Sequence, residues 1–550
     1  MTIPQKIDGV IYAKMLHRGA LRLHKHIDEI NNLNVFPIPD GDTGDNMFLT
    51  FMGGVEAVKE ENESISVVAR KAADGMLLSA RGNSGVILSQ FFDGIAAGLE
   101  GVDAAGVPEF MTALKEGVKH AYGAVMKPTE GTILTVAREA VDYACGHQNC
   151  RTVEGFFTLV VDEAKRSLGR TPERLPMLKK AGVVDSGGAG LIYILRGMRR
   201  MLIDGEEGSD IPLTQAAENT INPDLFTEDS VLEFGYCTEL LVRLQNAKTD
   251  IAAFNVKTVT DYLTSIGDSV AAVKTGSILK VHVHTMTPDK VLCFCQQYGE
   301  FLKIKIENMS LQHNNTIDSG LKAKPSPENR KEYGVVVAAC GAGIQQTFRE
   351  VGADIIVDGG QSMNPSAEDF LRAFDDCNAD TIFVFPNNGN VILAAKQAAS
   401  MYKDSDVRVI ESKTIGDGYA ALSMMDTSCG DTDAIVADLN FSMENVVTAE
   451  ISRCVRDADM QDVQVHTGDY IGFVGKEILA CEKERKDATL SLVDNMDFTD
   501  HPICILVYGK DSDPEETEAI KNRIEEKSPD TEIYTINGEQ EIYSYIIIAE

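Results

Sequence analysis

The stretch KIDGVIYAKMLHRGALRLHKHIDEINNLNVFPIPDGDTGDNM, residues 6–47, joins two kinds of sequence in one run. Its first part carries Leu16, Ala20, Leu23, Ile27 and Ile30 at steps of four, three, four and three, which lines them along one stripe of an amphipathic helix over 6–31. Its second part, NVFPIPDGDTGDNM at 34–47, crowds Asp40, Asp42 and Asp45 among Pro37, Pro39, Gly41 and Gly44. The prolines stiffen the approach and the glycines permit unusual backbone angles. Carboxylates gathered in a few residues of loop suit a hard cation, and Mg2+ takes one or two of them, completing its shell with water and substrate phosphates. Pro-Asp-Gly is also a common solvated turn. An EF-hand does not fit: its loop needs Gly at the sixth place and an acid at the twelfth, where a count from Asp40 finds Asp45 and Phe51.

Downstream, Ala- and Leu-rich stretches over 67–78, 84–99, 110–126, 132–144, 153–168 and 189–202 alternate with Gly- and Pro-containing breaks, so the first segment reads as all-α. The polar stretch 205–224, with EEGSD and NTINPD, reads as a linker. Beyond it, strands over 236–244, 268–274, 277–285 and 301–307 with helices over 258–266 and 289–298 give the order βαββαβ of a small α+β sandwich. After a second polar connection, the runs GVVVAAC, DIIVDGG, TIFVFPNN and VRVIES alternate with helical stretches over 344–351, 367–374 and 391–401, the pattern of a parallel sheet with crossover helices. Strands at DYIGFVG, CILVYG, EIYTING and YSYIIIA fill the remainder. The expected fold class is thus multidomain: an all-α domain over 1–206, an α+β domain over 227–310 and an α/β domain over 330–550.

A chain of 550 residues exceeds what one hydrophobic core usually organises, and 44% hydrophobic with 25% charged residues is an ordinary globular composition. Lys and Arg number 51 against 84 Asp and Glu, a net charge of −33 that would repel a phosphate backbone, so nucleic acid and anionic membrane surfaces are poor partners. Eleven scattered cysteines fit free thiols in a reducing compartment, and a cytoplasmic location is expected. MTIPQKIDGVIYA lacks an uninterrupted apolar signal core, and the ending YSYIIIAE is shorter than the ~20 residues that span a bilayer, so no integral membrane segment is expected.

Two more loops in the first segment, ARGNSGVILSQ at 80–90 and VDSGGAGLIYIL at 184–195, place Ser and Gly just before an apolar helical run, and PTEGTILTV repeats the arrangement at Gly131 and Thr132. Backbone N–H groups at such helix starts can meet an anion, and the same residues also serve as caps and close-packing positions. Three such loops beside an acidic one favour a nucleotide site, although no P-loop, no G-x-S-x-G and no complete dinucleotide fingerprint occurs. In the middle segment, Cys237 lies on one strand, while His282 and His284 stand two apart on another and so share a face. These are Zn2+ ligand types, and they are equally a core thiol and two hydrogen-bonded histidines.

Taken together, NVFPIPDGDTGDNM, ARGNSGVILSQFFDG, EGTILTV and VDSGGAGL, then YCTELLV and VHVHT, then MNPSAEDFL, FPNNGN and SKT, resemble in order the catalytic subunit of bacterial fatty acid kinase, whose ATP-binding domain is similar to the nucleotide subunit of dihydroxyacetone kinase. The resemblance implies a helical-barrel kinase domain, a middle domain for dimerisation and Zn2+ binding, and a C-terminal domain that engages a separate fatty-acid-binding carrier protein. It implies that Asp40 and Asp42 hold Mg2+ against ATP, with Asn34 or Asp45 completing the metal shell. It also implies that Asn83, Ser84 and Gly85, Thr132, and Ser186, Gly187 and Gly188 cradle the nucleotide, with Thr43 and Asn46 beside them. Cys237, His282 and His284 match the family's zinc positions. Asp45 stands where a small or hydroxyl residue is expected, and SKTIGDGYAAL lacks the expected proline.

The implied reaction moves the γ-phosphoryl of ATP to a fatty-acid carboxylate, giving an acyl phosphate for phospholipid synthesis, in a homodimeric enzyme. The alternatives are a kinase of small hydroxylated ketones and a nucleotide-sensing scaffold.

Overall fold

A computed structural model of the chain describes residues 6–35, 38, 41–58, 63–147, 150–204, 236–251, 254–266, 268–275, 277–308, 330–359, 364–460 and 463–550. These fall into two compact units, one built from the N-terminal helices together with the C-terminal α/β region and one from the middle segment.

The N-terminal region is helical throughout: α1 (Gly9–His24), α2 (Ile27–Asn31), α3 (Thr43–Glu56), α4 (Ile65–Leu78), α5 (Gly82–Gly98), α6 (Val107–Gly123), α7 (Ile133–Gly146), α8 (Val153–Arg174), α9 (Pro176–Ala181) and α10 (Ser186–Asp204). Local chemistry sets several starts. Asp8 accepts the Ile11 N–H at 2.9 Å to cap α1, and Ser64 and Thr152 do the same for α4 and α8. The stripe of α1 is buried as its spacing requires, with Leu16, Ala20 and Leu23 at 1% exposure or less, in a core that also holds Phe51 and the edge-to-face pair Phe110–Phe157. Helices α3 and α4 approach closely because neither Gly53 nor Gly75 carries a side chain: a Cβ on Gly75 would lie 2.3 Å from the carbonyl oxygen of Gly53.

Two features differ from the sequence expectation. The helix expected over 6–31 breaks at His26, whose backbone leaves the helical region at φ −122°, ψ 17° while its ring stacks on Tyr193 of α10 at 3.9 Å. The break turns α2 so that Asn31 Oδ1 accepts the Gly44 N–H at 2.7 Å. The acidic loop is also shorter than expected: Thr43, Gly44, Asp45 and Asn46 already form the first turn of α3, pulled in by the buried Met47 and Phe51.

The middle unit has the order β1 (Tyr236–Leu244), α11 (Val256–Thr264), β2 (Asp268–Thr275), β3 (Ile278–Thr285), α12 (Pro288–Gln296) and β4 (Gly299–Asn308), an antiparallel sheet ordered β2-β3-β1-β4. Leu240, Val242, Leu279, Val281 and Val283 bury against Val259, Leu263, Val291 and Cys295 of the two helices.

The C-terminal region begins with β5 (Lys331–Ala339), α13 (Ala342–Glu350), β6 (Ile355–Asp358), α14 (Ala367–Cys377), β7 (Ala379–Phe385), α15 (Ile392–Met401) and β8 (Asp406–Val409), an all-parallel sheet ordered β6-β5-β7-β8. It continues through α16 (Ile415–Ser423), α17 (Thr432–Ser442), β9 (Val447–Arg453), β10 (Ala458–Met460), β11 (Val463–Val465), β12 (Tyr470–Val474), β13 (Glu477–Glu482), α18 (Arg485–Asn495), β14 (Ile503–Tyr508), α19 (Pro514–Lys527), β15 (Glu532–Asn537) and β16 (Tyr543–Ala549). Its second sheet is mixed and ordered β13-β12-β9-β16-β14-β15. Val337, Phe383 and Phe385 of the first sheet share one core with Phe473, Val507 and Ile546 of the second, so the space between the sheets is filled by side chains.

The helical region and the α/β region are joined by apolar packing and directed bonds. Ala80 and Val86 belong to the same buried cluster as Phe370, Phe374 and Val391. Ala367 N–H donates to the Ala80 carbonyl at 3.2 Å, and Gln397 Nε2 donates to the Leu77 carbonyl at 2.5 Å. The seam between the two regions therefore sets the loop before α5 against the start of α14, and α4 against α15.

Candidate active site

Asn34, Asp42, Thr43, Asn46, Asn83 and Ser84 line one cleft of about 480 Å³, facing Asn388, Gly389, Asn390, Lys413 and Lys476 from the α/β region. Asn34 Oδ1 is the local organiser. It accepts the Thr43 hydroxyl at 2.8 Å and the Ser186 hydroxyl at 3.2 Å, so one carboxamide ties the start of α3 to the start of α10. Its Nδ2 is buried with no partner among the described residues, a donor left over at the cleft.

Asp42 stands at the N-cap of α3, yet its carboxylate makes no capping bond. Its Oδ2 instead accepts from Asn364 Nδ2 at 2.5 Å, a residue 322 positions away. The Asp42 carboxylate is a hard oxygen donor that fits Mg2+, whereas both lone pairs of Asn34 Oδ1 are taken by the Thr43 and Ser186 hydroxyls. Asp40 lies outside the described residues. Asp45 is turned to the other side of the first turn, where it accepts from Asn31 Nδ2 at 2.7 Å, and it does not line the cleft.

The first turn of α5 has no side-chain cap, and its Asn83 and Ser84 line the cleft. Gly82 opens this helix at φ +57°, and a Cβ there would lie 2.5 Å from Asn46 Nδ2, so the turn into Asn83 and Ser84 requires glycine. Asn83 Nδ2 donates to Asn390 Oδ1 at 3.3 Å and to the Gly389 carbonyl at 3.4 Å. Gly85 does not reach the cleft. A Cβ on it would lie 2.4 Å from Thr50 Oγ1, so its part is to let α5 close on α3.

Asn83 and Ser84 also border a second cavity of about 610 Å³ with Thr132, Ser186 and Gly187, and apolar walls from Ile87, Val125, Ile133 and Leu134. A polar mouth with apolar walls suits a purine nucleoside whose phosphates extend toward Asp42. Gly188 stays beneath this wall, packed against Val136 and Leu168. Its N–H donates to Asp185 Oδ2 at 2.7 Å, so this N–H is already satisfied and is not free for an anion. Burial pushes the Asp185 carboxyl up to about 6, opposed by hydrogen bonds from the Gly188 and Ile133 backbone. Asp185 thereby joins the starts of α7 and α10 at the cavity wall.

Glu130 holds the loop that carries Thr132. It pairs with Arg138 through both oxygens, at 2.5 and 2.8 Å, and accepts the Thr135 hydroxyl at 2.7 Å. The Arg138 guanidinium holds the Glu130 carboxyl down at about 2.

In the middle unit the backbone register pairs Cys237 with His284 and Glu239 with His282 across β1 and β3. Among the described residues no group of three or more His, Cys, Asp or Glu stands ready to hold a metal.

Sequence reasoning missed Asp185, Asn364 and the Asn388–Gly389–Asn390 turn. Asp185 had a signal, an Asp directly before Ser-Gly-Gly at a helix start. Asn364 had none.

An oxygen-rich cleft at uncapped helix starts on an all-helical domain, beside a nucleoside-sized cavity, is the arrangement of an ATP-using kinase. Comparison with known proteins agrees. Residues 37–200 match the DAK2 domain, residues 233–316 the FakA-like middle domain of fatty acid kinase, and residues 334–550 the FakA-like C-terminal domain of fatty acid kinase. Protein YloV of Bacillus subtilis strain 168 is 38% identical over 558 residues, covering 99% of each chain. An uncharacterized protein of Staphylococcus saprophyticus is 36% identical over 563 residues, covering 99% of this chain and all of the other. The chain belongs to the FakA-like family of fatty acid kinase proteins.

Among solved structures, the dihydroxyacetone kinase of C. freundii in complex with AMP-PNP and Mg2+ aligns at 18% identity and TM-score 0.28 over 36% of this chain and 35% of that one. The fatty acid kinase B3 protein of Streptococcus pneumoniae, loaded with linoleic acid, aligns at 12% identity and TM-score 0.31 over 40% of this chain and 99% of that one. No helix among the described residues is long and apolar enough to cross a membrane.

Proposed function

We propose that this chain transfers the γ-phosphoryl of ATP to the carboxylate of a fatty acid presented by a separate carrier protein, giving an acyl phosphate that serves phospholipid synthesis. The observation that carries the reading is the single cleft shared by Asn34, Asp42, Thr43, Asn46, Asn83 and Ser84. Asp40 and Asp42 would hold Mg2+, Asn34 orders the Thr43 and Ser186 hydroxyls beside it, and Thr43, Asn46, Ser84, Thr132, Ser186 and Gly187 receive the nucleotide. When bound, Mg2+ neutralises charge on the phosphate oxygens.

The chain's own groups bind and orient. The first-turn N–H groups of α5 donate to phosphate oxygens and need no reorganisation to do so. The walls of the larger cavity bury the nucleoside and fix the direction of the triphosphate. A fatty-acid carboxyl has a pKa near ~4 to 5 and is ionised at neutral pH, so the acceptor needs no general base. The filled space between the two C-terminal sheets, and membership of a family defined as one component of a multi-protein kinase, support delivery of the acyl chain by a second protein. The middle unit is assigned Zn2+ at Cys237, His282 and His284 and a homodimer contact, and the site of action is the cytoplasm.

The test is acyl phosphate formation with lipid-loaded carrier and Mg-ATP. Asp42→Ala is expected to abolish turnover while leaving the thermal unfolding profile in place. Full turnover in that variant would remove the assignment.

A further inference from the structure

We propose that Asn364, a residue of the C-terminal region, is a positioning residue for the metal site of the N-terminal region: it fixes Asp42 so that the site is complete only when the α/β region is seated on the helices. The inference rests on the reading of Asp42 as a Mg2+ ligand.

Asn364 is 1% exposed, and its Nδ2 donates to Asp42 Oδ2 at 2.5 Å. Its Oδ1 is buried with no partner among the described residues. The amide is therefore oriented by Asp42 alone, because the flipped amide would set a carbonyl oxygen against a carboxylate. A hydrogen bond from a buried amide removes rotational freedom from the carboxylate, the usual work of a group behind a metal ligand.

The backbone around Asn364 is held as firmly. Its carbonyl accepts from Arg81 Nη1 at 3.0 Å, and the Arg81 N–H donates to Thr50 Oγ1 at 3.1 Å. Ser366 pairs with Arg81 as an isolated antiparallel bridge and caps α14 together with Asp369. Arg81 is the residue just before α5, so the contact that orients Asp42 is continuous with the turn that presents Asn83 and Ser84. Two helix starts of the kinase site are thus referenced to one residue of the other region, and a force on the α/β region reaches the metal ligand through it.

The test uses the full chain saturated with AMP-PNP and titrated with Mn2+, with free Mn2+ read from its EPR signal. Asn364→Leu keeps the volume and removes the donor, and Asn364→Ala serves should the leucine not fold. Either is expected to raise the Mn2+ dissociation constant by about tenfold, the loss typical of removing a group that orients a metal ligand. Gln397→Ala breaks a bond of the same seam away from Asp42 and is expected to leave it within about twofold, since sites without shared partners act independently. Unchanged Mn2+ affinity in the Asn364 variants with a weakened Asp42→Ala would overturn the positioning role and leave Asp42 as a ligand. No change in any variant would overturn both, and equal weakening by Gln397→Ala would overturn the specific role by reducing the effect to loosening of the seam.

Discussion

The Asn34 carboxamide oxygen accepts the Thr43 hydroxyl at 2.8 Å, and this bond closes the acidic loop onto the first turn of α3. Because Ser186 donates to the same oxygen at 3.2 Å, truncation releases two helix starts at once. Asn34→Ala is expected to lower kcat/KM for ATP by about 10- to 100-fold, since two hydroxyls at the site lose their acceptor at about 1 kcal/mol each. The melting temperature should fall by only a few degrees. Steady-state kinetics beside a thermal melt check this, and a wild-type kcat/KM would refute it.

Asp185 makes stability depend on pH. Its folded-state pKa stands raised from 3.8 to about 6, so the folded protein keeps this proton to higher pH than the unfolded chain. The destabilisation is absent below pH 3.8, grows as pH rises, and is complete above about 6. Asp185→Asn keeps an acceptor for the Gly188 N–H and cannot ionise. Relative to wild type, the variant should gain about 1–2 kcal/mol on going from pH 4 to pH 7.5, a figure reduced because the carboxylate borders a cavity open to water. Melting curves at the two pH values decide it. An unchanged difference between variant and wild type would show that Asp185 is not held as a strained anion.

Much of this architecture is legible in single residues. Leu16, Ala20, Leu23 and Ile30 announce α1 and α2 by spacing, and all four are buried. The break at His26 is not legible, because its cause is a ring on α10 rather than a Gly or Pro nearby. Strand–helix alternation after residue 330 reveals the parallel sheet. It does not reveal the order of the mixed sheet, where β16 at the end of the chain pairs with β9. At the site, Asn34, Thr43, Asn83, Ser84 and Ser186 all stand in local Gly-rich motifs that sequence reading finds. Asn364 reaches Asp42, and the Asn388–Gly389–Asn390 turn reaches the cleft, only through tertiary packing. Gly85 and Gly188 show the converse: each belongs to such a motif, yet packing alone explains it.

Glu130 offers a test of how the nucleotide loop is held. Arg138 keeps its carboxyl down at about 2, so the pair's contribution to stability is present above pH 4.5 and lost as pH falls toward 2. Both side chains are partly exposed, which limits the contribution to about 1 kcal/mol or less. The larger effect should be on binding. Glu130→Ala frees the Thr135 hydroxyl and the guanidinium together, and the loop bearing Thr132 loses its anchor. We expect KM for ATP to rise by about three- to tenfold with kcat little changed, the pattern of lost uniform binding. A fall in kcat with constant KM would place Glu130 in the transition state instead.

The middle unit yields the last prediction. Cys237 and His284 are direct partners in the antiparallel register of β1 and β3, and His282 is two positions along the same strand. Residues opposite one another on adjacent strands stand about 4.5–5.5 Å apart and positions two apart share a face, and the zinc assignment proposed above is tested at these three positions. A tetrahedral Zn2+ then needs one further ligand, which water or a second copy of the chain can supply. Full-length protein purified without chelator is expected to carry about one zinc per chain. His284→Ala and Cys237→Ser should each cut that content severalfold, as measured by elemental analysis. Retention of full zinc in both variants would return the three residues to ordinary strand positions.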